Sequence, residues 1–254
     1  MKFITECYTD IGVFREVNQD AICIMQAHID EQNVCMLIIC DGMGGLSKGE
    51  LASATVIKAF AKGFEEKLPE LIKNHSLEQI QKLWEKELLY WSDRLKAYGM
   101  QHQILLGTTF SGMLFINEHY IWAHVGDSRI YEINEFMVEQ LTEDHTVVAR
   151  ELARGTMTLE EAERSKLKNK LTQCIGASKE LTPQLGTGIA QNGTSFLLCS
   201  DGFYHTISKD EMMEIQRGSY TTEIDLEKFC HLTVQTAIQR GEKDNISVIV
   251  LKCI

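Results

Sequence analysis

The sequence predicts an α+β fold, a β-sandwich of two mainly antiparallel sheets flanked by helices on both outer faces, giving four layers in the order αββα. Three observations predict it. Short segments rich in β-branched and aromatic residues recur along the chain. Several are joined by links too short for a parallel crossover, which needs a dozen residues or more. Long amphipathic helical patterns stand between and after them, each with an apolar face that must be covered.

In chain order, strand-like segments fall at Asp20 to Gln26, Val34 to Cys40, Thr108 to Ile116, Tyr120 to Val125, Ile130 to Ile133, Phe196 to Cys199 and Asn245 to Cys253. Ile116-Asn117-Glu118-His119 and Asn134-Glu135 read as hairpin turns, so their flanking strands pair antiparallel. Helical patterns fill Gly49 to Lys67, Ser76 to Tyr98, Val147 to Leu152, Leu159 to Arg164 and Ile224 to Arg240. The second is the clearest. Leu77, Ile80, Trp84, Leu88, Trp91, Leu95 and Tyr98 recur at three- and four-residue steps, an apolar stripe suited to packing on a sheet.

With only 2 prolines, no repeat and no Gly/Ser linker, the 254 residues offer no place to cut, and one domain over 1–254 is expected. The net charge of −11 repels phosphate backbones and anionic lipid, which argues against nucleic-acid or membrane binding. The apolar run Val34 to Cys40 is too short to cross a bilayer, and Met1 to Asp10 lacks the hydrophobic core of a signal peptide. A cytoplasmic protein is expected. The 8 cysteines contain no Cys-x-x-Cys pair, and none has Arg six positions on, so cysteine-dependent phosphate chemistry has no loop to work in. They read as reduced core residues.

Acidic residues placed at strand ends carry the functional signal. Cys35 to Cys40 stops at Asp41, Phe196 to Cys199 stops at Ser200-Asp201, Trp122 to Val125 stops at Gly126-Asp127, and Asp244 immediately precedes a strand. If these ends share one edge, four carboxylates repel one another unless cations lie between them. An all-oxygen set favours magnesium or manganese over zinc. In Asp41-Gly42-Met43-Gly44-Gly45 the missing side chains let backbone groups approach an ion or a phosphate. The spacing matches neither a nucleotide P-loop nor a dinucleotide fingerprint.

Arg15-Glu16-Val17-Asn18-Gln19-Asp20, Asp41-Gly42-Met43-Gly44-Gly45, Gly107-Thr108-Thr109, Val125-Gly126-Asp127-Ser128-Arg129, Leu141-Thr142-Glu143-Asp144-His145, Ser200-Asp201-Gly202 and Asp244-Asn245 occur in the order seen in type 2C metal-dependent Ser/Thr protein phosphatases, and the chain resembles their bacterial branch over nearly its whole length. The resemblance implies a single catalytic domain with a flap at about 145–176. It implies two manganese or magnesium ions bridged by Asp41, with the Gly42 carbonyl on one ion and Asp201 and Asp244 on the other. Asp127 matches a residue that helps hold a third, looser ion, and Asp20 would support the site from behind. Hydroxide bridging the ions would attack phosphorus directly, while Arg15 grips the phosphate. The implied function is hydrolysis of phosphoserine and phosphothreonine in proteins, by a monomer opposing a bacterial Ser/Thr kinase. The alternative is a phosphatase-fold module that has lost turnover and binds a phosphorylated partner.

Two positions depart from the family pattern. Gln19 stands where relatives commonly have Glu, and Met43 stands where many eukaryotic relatives have His. Because a thioether cannot protonate the leaving oxygen, the proton donor is left open between a metal-bound water and His145. The flap carries Arg150, Arg154, Arg164, Lys166, Lys168 and Lys170, a run able to steer phosphopeptides.

Overall fold

The structure, a computed structural model, describes residues 1–43, 48–218 and 220–254. Gly44 and Gly45 of the glycine-rich segment lie outside the described residues. Two five-stranded sheets are formed, every pairing antiparallel. One runs in the order β2 (Asp20–Ile29), β3 (Gln32–Asp41), β4 (Phe110–Ile116), β5 (His119–Val125) and β8 (Gln184–Ile189). The other runs β1 (Phe3–Asp10), β10 (Ile246–Cys253), β9 (Ser195–Cys199), β6 (Arg129–Ile133) and β7 (Val138–Gln140).

The unbroken apolar run in β3 is explained by its having two buried faces. Val34, Met36, Ile38 and Cys40 meet helices, whereas Cys35, Leu37 and Ile39 meet the other sheet. β10 divides the same way, with Ile246, Val248 and Val250 toward helices and Ile249, Leu251 and Cys253 between the sheets. Three apolar layers therefore separate four structural ones. Helices α1 (Gly49–Glu66), α2 (Leu68–Asn74) and α3 (Leu77–His102) cover the first sheet through Phe60, Phe64, Trp84 and Leu88, with the Phe60 and Trp84 rings edge to face at 5.2 Å. Helices α6 (Asp201–Tyr204), α7 (Lys209–Arg217) and α8 (Glu223–Gln239) cover the second through Phe203, Met212, Phe229 and Val234. Short helices α4 (Val147–Ala153) and α5 (Leu159–Arg164) fall within the stretch 145–176 where a flap is expected.

The expected stripe on α3 packs as read at Ile80, Trp84, Leu88 and Leu95, but runs out at Tyr98, which is exposed. A capping box of Ser76 and Gln79 fixes its start. The helix expected over 49–67 stops at Glu66, and a separate α2 follows with Pro69 in its first turn. Strands β1 and β8 have no counterpart in the sequence reading, where β7 is implied only by the hairpin turn at Asn134-Glu135. β1 carries Thr5, Glu6, Thr9 and Asp10 because it is an edge strand. In β8, Gly186 and Gly188 lie opposite Trp122 and Tyr120, whose rings fill the space a Cβ would need. Among the described residues no helix is long and apolar enough to cross a membrane.

Candidate active site

Antiparallel order brings the end of one strand beside the start of the next, and this gathers the acidic strand ends at one edge of the sandwich. Asp20 opens β2 directly opposite Asp41, which closes β3. Asp127 follows β5, Asp201 follows β9, and Asp244 precedes β10. Arg15, Asp41, Asp127, Asp201 and Asp244 line one open cleft of about 1270 Å³, with Met43 and the segment Asn169–Thr172 on its walls. All the sequence-predicted acidic ligands except Asp20 therefore face a common space. Asp20 lies beneath, its Oδ2 accepting from Ser200 Oγ at 2.8 Å and Ser247 Oγ at 2.6 Å.

The backbone around Asp41 is held by residues that the sequence marked without giving them a task. Thr109 Oγ1 accepts from the Asp41 N–H at 2.8 Å and shares a hydrogen bond with Ser128 Oγ at 2.7 Å. Thr108 Oγ1 donates to the Asp41 carbonyl at 3.0 Å. Gly42 is enclosed so closely that a Cβ would press on the backbone of Gly49 and of Gln19, so only glycine keeps its carbonyl in place. Asn245 has a comparable role for the strap bearing Arg15. Its side chain accepts from Gln19 N and donates to the carbonyls of Ile11 and Val17.

The electrostatics are those of a site that attracts cations. Burial pushes the Asp41 and Asp127 carboxyls well above the usual range, and the neighbouring aspartates push them further. Burial likewise moves Asp20 up to about 7 and Asp201 up to about 6. Asp20 Oδ1 and Asp201 Oδ1 are buried without a hydrogen-bond partner. Two orphaned carboxylate oxygens within an all-oxygen set fit hard divalent ions. Among the described residues no three His, Cys, Asp or Glu side chains are grouped closely enough to hold one ion by themselves. A ring of carboxylates around an open cleft suits magnesium-like ions, which keep several waters and take only one or two carboxylates each.

Arg15 Nη2 donates to Asp244 Oδ2 at 2.6 Å, a bond that raises its already high proton affinity. His205, which the sequence reading missed, lies between two acids. Its Nε2 is 3.9 Å from Asp201 Oδ2 and its Nδ1 3.7 Å from Glu242 Oε2. Burial alone would favour neutral imidazole, but Glu242 and Asp201 outweigh it and raise its pKa. Glu242 Oε1 also accepts from the N–H groups of Lys243 and Asp244. No spacing rule links positions 201, 205 and 242; only the fold brings them together.

His145 is otherwise engaged. Its Nδ1 accepts from Gly126 N at 3.2 Å, its ring lies tilted against that of His124 at 5.0 Å, and burial lowers its pKa. It supports the loop carrying Asp127 and does not line the cleft. Asp144 forms a two-pronged ion pair with Arg129, whose guanidinium lies 3.5 Å above the Tyr204 ring. Of the flap cations Lys170 lines the cleft, while Arg150 and Arg154 both pair with Glu151. Gln19, at the position expected to influence metal binding, donates from Nε2 to Glu50 Oε2 at 3.3 Å.

Comparison with known proteins agrees with this arrangement. The profile of the family described as Protein phosphatase 2C matches residues 15–243. Protein phosphatase PhpP of Streptococcus pneumoniae strain D39 is 31% identical over 244 residues, covering 96% of this chain and 94% of that protein. The serine/threonine phosphatase of S. agalactiae superposes with a TM-score of 0.89 at 27% identity, covering 100% of both chains. The catalytic domain of the serine/threonine protein phosphatase PstP, solved with two manganese ions, gives a TM-score of 0.75 at 25% identity, covering 98% of this chain and 97% of that one.

Proposed function

The chain belongs to the protein phosphatase 2C family, and from that membership we propose that it removes phosphate from phosphoserine and phosphothreonine in proteins, using divalent metal held at the acidic edge of the sandwich. Asp41, the Gly42 carbonyl, Asp201 and Asp244 are the residues to hold two ions, manganese or magnesium, and Asp127 is the contact for a third. When bound, such ions lower the pKa of coordinated water toward neutrality and offset charge on the phosphoryl oxygens.

The chain's own groups do the rest. Thr108 and Thr109 fix the backbone of Asp41, so its carboxylate is aimed before ligand arrives. Asp20 braces the site from below through two serine hydroxyls. Arg15, about a third exposed at the cleft edge and already paired with Asp244, offers a planar donor fork to phosphate oxygens. Met43 donates no proton and His145 is committed to Gly126, and in this reading a water supplies the proton to the leaving oxygen. The reading includes a monomer in the cytoplasm that reverses a Ser/Thr kinase.

The observation that carries the reading is the convergence of acidic strand ends, with unpartnered buried oxygens on Asp20 and Asp201, beside Arg15. Purified protein should hydrolyse p-nitrophenyl phosphate and a phosphothreonine peptide with added manganese and neither in chelator. Asp41→Asn should abolish turnover with unchanged circular dichroism. Full activity in chelator sinks the proposal.

A further inference from the structure

Next to the catalytic cleft lies a second depression, about 700 Å³ in volume, lined by Lys96 and Met100 of α3, Leu105 of the following loop, and Ala177, Ser178 and Lys179. Ala177 and Ser178 line the catalytic cleft as well, so the two share a wall. Resting on the function proposed above, we propose that this groove receives the substrate's own polypeptide beside the phosphorylated residue, and selects segments carrying an apolar side chain together with a carboxylate.

The groove is built rather than incidental. At the end of α3, Gln103 adopts a left-handed conformation (φ 54°), and Ile104 N donates back to the Gly99 carbonyl at 3.0 Å. A Cβ on Gly99 would strike the Ile104 carbonyl, so the turn closes only with glycine there. The shared wall is anchored separately, by Gly176 N on Ser92 Oγ at 3.2 Å and by Cys174 N on Ser178 Oγ at 2.7 Å. Such a surface needs little ordering before a peptide is laid on it.

Its chemistry names the occupant. Met100 is 80% exposed and Leu105 57%, and both line this one depression, so together they give it a large apolar surface. Among the described residues the lining holds two lysines, Lys179 and Lys96, the latter pairing with Asp93 at 3.3 Å, and no carboxylate, in a chain whose net charge is −11. A polypeptide presenting its phosphorylated residue to Arg15 and Asp41 must leave the cleft over some part of its rim, and the Ala177–Ser178 rim is the part with a groove immediately beyond it.

The test uses the full chain with manganese and phosphothreonine peptides bearing Leu and Glu on one side, on the other side, or replaced by Gly and Ser. On one side, Leu and Glu should improve kcat/KM about tenfold through KM, the scale of one well-filled apolar contact. Met100→Glu should erase that preference and leave turnover of p-nitrophenyl phosphate unchanged. Lys179→Glu should transfer the preference to a Lys-flanked peptide, a gain that damage to the fold cannot produce. Equal kcat/KM for all peptides on the wild-type protein overturns the proposal, as does preference for the Leu and Glu peptide surviving in both variants. Parallel loss on peptide and p-nitrophenyl phosphate also overturns it. Failure of wild-type protein to turn over either kind of substrate is a different result, sinking the function on which the groove depends.

Discussion

Asp20 and Asp41 stand directly opposite one another across the β2–β3 ladder, and the Asp20 Oδ1 atom is buried with no donor. Burial, with Asp201 and Asp244 adding to it, pushes the Asp20 carboxyl from its ordinary 3.8 up to about 7, against the pull of its two serine donors. A group whose pKa is raised by folding stabilises the native state below its unfolded pKa and loses that contribution as pH rises through the folded value. Without metal, stability should therefore fall between about pH 4 and pH 7, by up to about 1.4 kcal/mol per pH unit for one proton. Manganese should reduce the slope, because ion-bound carboxylates need no proton, and Asp20→Asn should reduce it in chelator, leaving the share that Asp41, Asp127 and Asp201 contribute. Melting temperatures from pH 5 to 8, with manganese and with chelator, check this; a flat profile in chelator would show the carboxyls to be ionised throughout.

Gln19 and Glu50 give a second prediction. Gln19 Nε2 donates to Glu50 Oε2 at 3.3 Å, so Gln19→Glu would set two carboxylates against each other at the head of α1. In chelator the variant should lose about 1 kcal/mol of stability, the scale of exchanging a favourable polar contact for like charges. A divalent ion nearby would relieve that repulsion. The manganese-induced rise in melting temperature should therefore exceed that of wild type, as expected if the added acid strengthens metal binding. An equal rise in the two proteins would show that position 19 is out of reach of the ions.

His205 supports the prediction furthest from anything a motif suggests. It bridges Asp201 and Glu242 at 3.9 and 3.7 Å, while Glu242 holds the backbone of Asp244, so one side chain links the two loops bearing these acids. His205→Ala should raise the manganese concentration for half-activation by about tenfold, the lower end for losing a group that orients a metal ligand. kcat at saturating metal should change far less. Calorimetric titration with manganese provides a readout independent of turnover, and unchanged metal affinity would limit His205 to packing.

These cases show which parts of the molecule were legible in the sequence. Strands buried on both faces announce themselves as apolar runs, so β3, β9 and β10 were readable, and with them Asp41, Asp201 and Asp244 at their ends. Edge strands lack that signal. β1 is half polar, and β8 carries two glycines, with Trp122 and Tyr120 filling the space above them. The same divide runs through the site. The positions proposed to hold metal follow from where strands stop, whereas the hydroxyls on Asp41, the Asn245 ties and the His205 link depend on contacts between segments far apart in the chain. His145 shows the converse, a residue within a motif whose ring turns out to hold a loop.

Thr109 provides the sharpest test of whether the buried hydroxyls aim Asp41 or merely fill space. Its Oγ1 satisfies the Asp41 N–H and exchanges a hydrogen bond with Ser128 Oγ, and the residue is 1% exposed. Valine preserves the shape and removes the oxygen, leaving a buried N–H and a buried hydroxyl each short of a partner. The expected loss is about 1–3 kcal/mol, the desolvation cost of unsatisfied buried polar groups. Because one of those groups belongs to the residue proposed to bridge the ions, kcat should fall as well, and saturating manganese should not restore it. Thr109→Ser keeps the oxygen and loses a methyl, so it should recover most of the activity at a smaller cost in stability. Denaturant unfolding together with manganese-dependent turnover of the two variants separates the effects. A valine variant that is as stable and as active as wild type would mean that the hydroxyl has no part in placing Asp41.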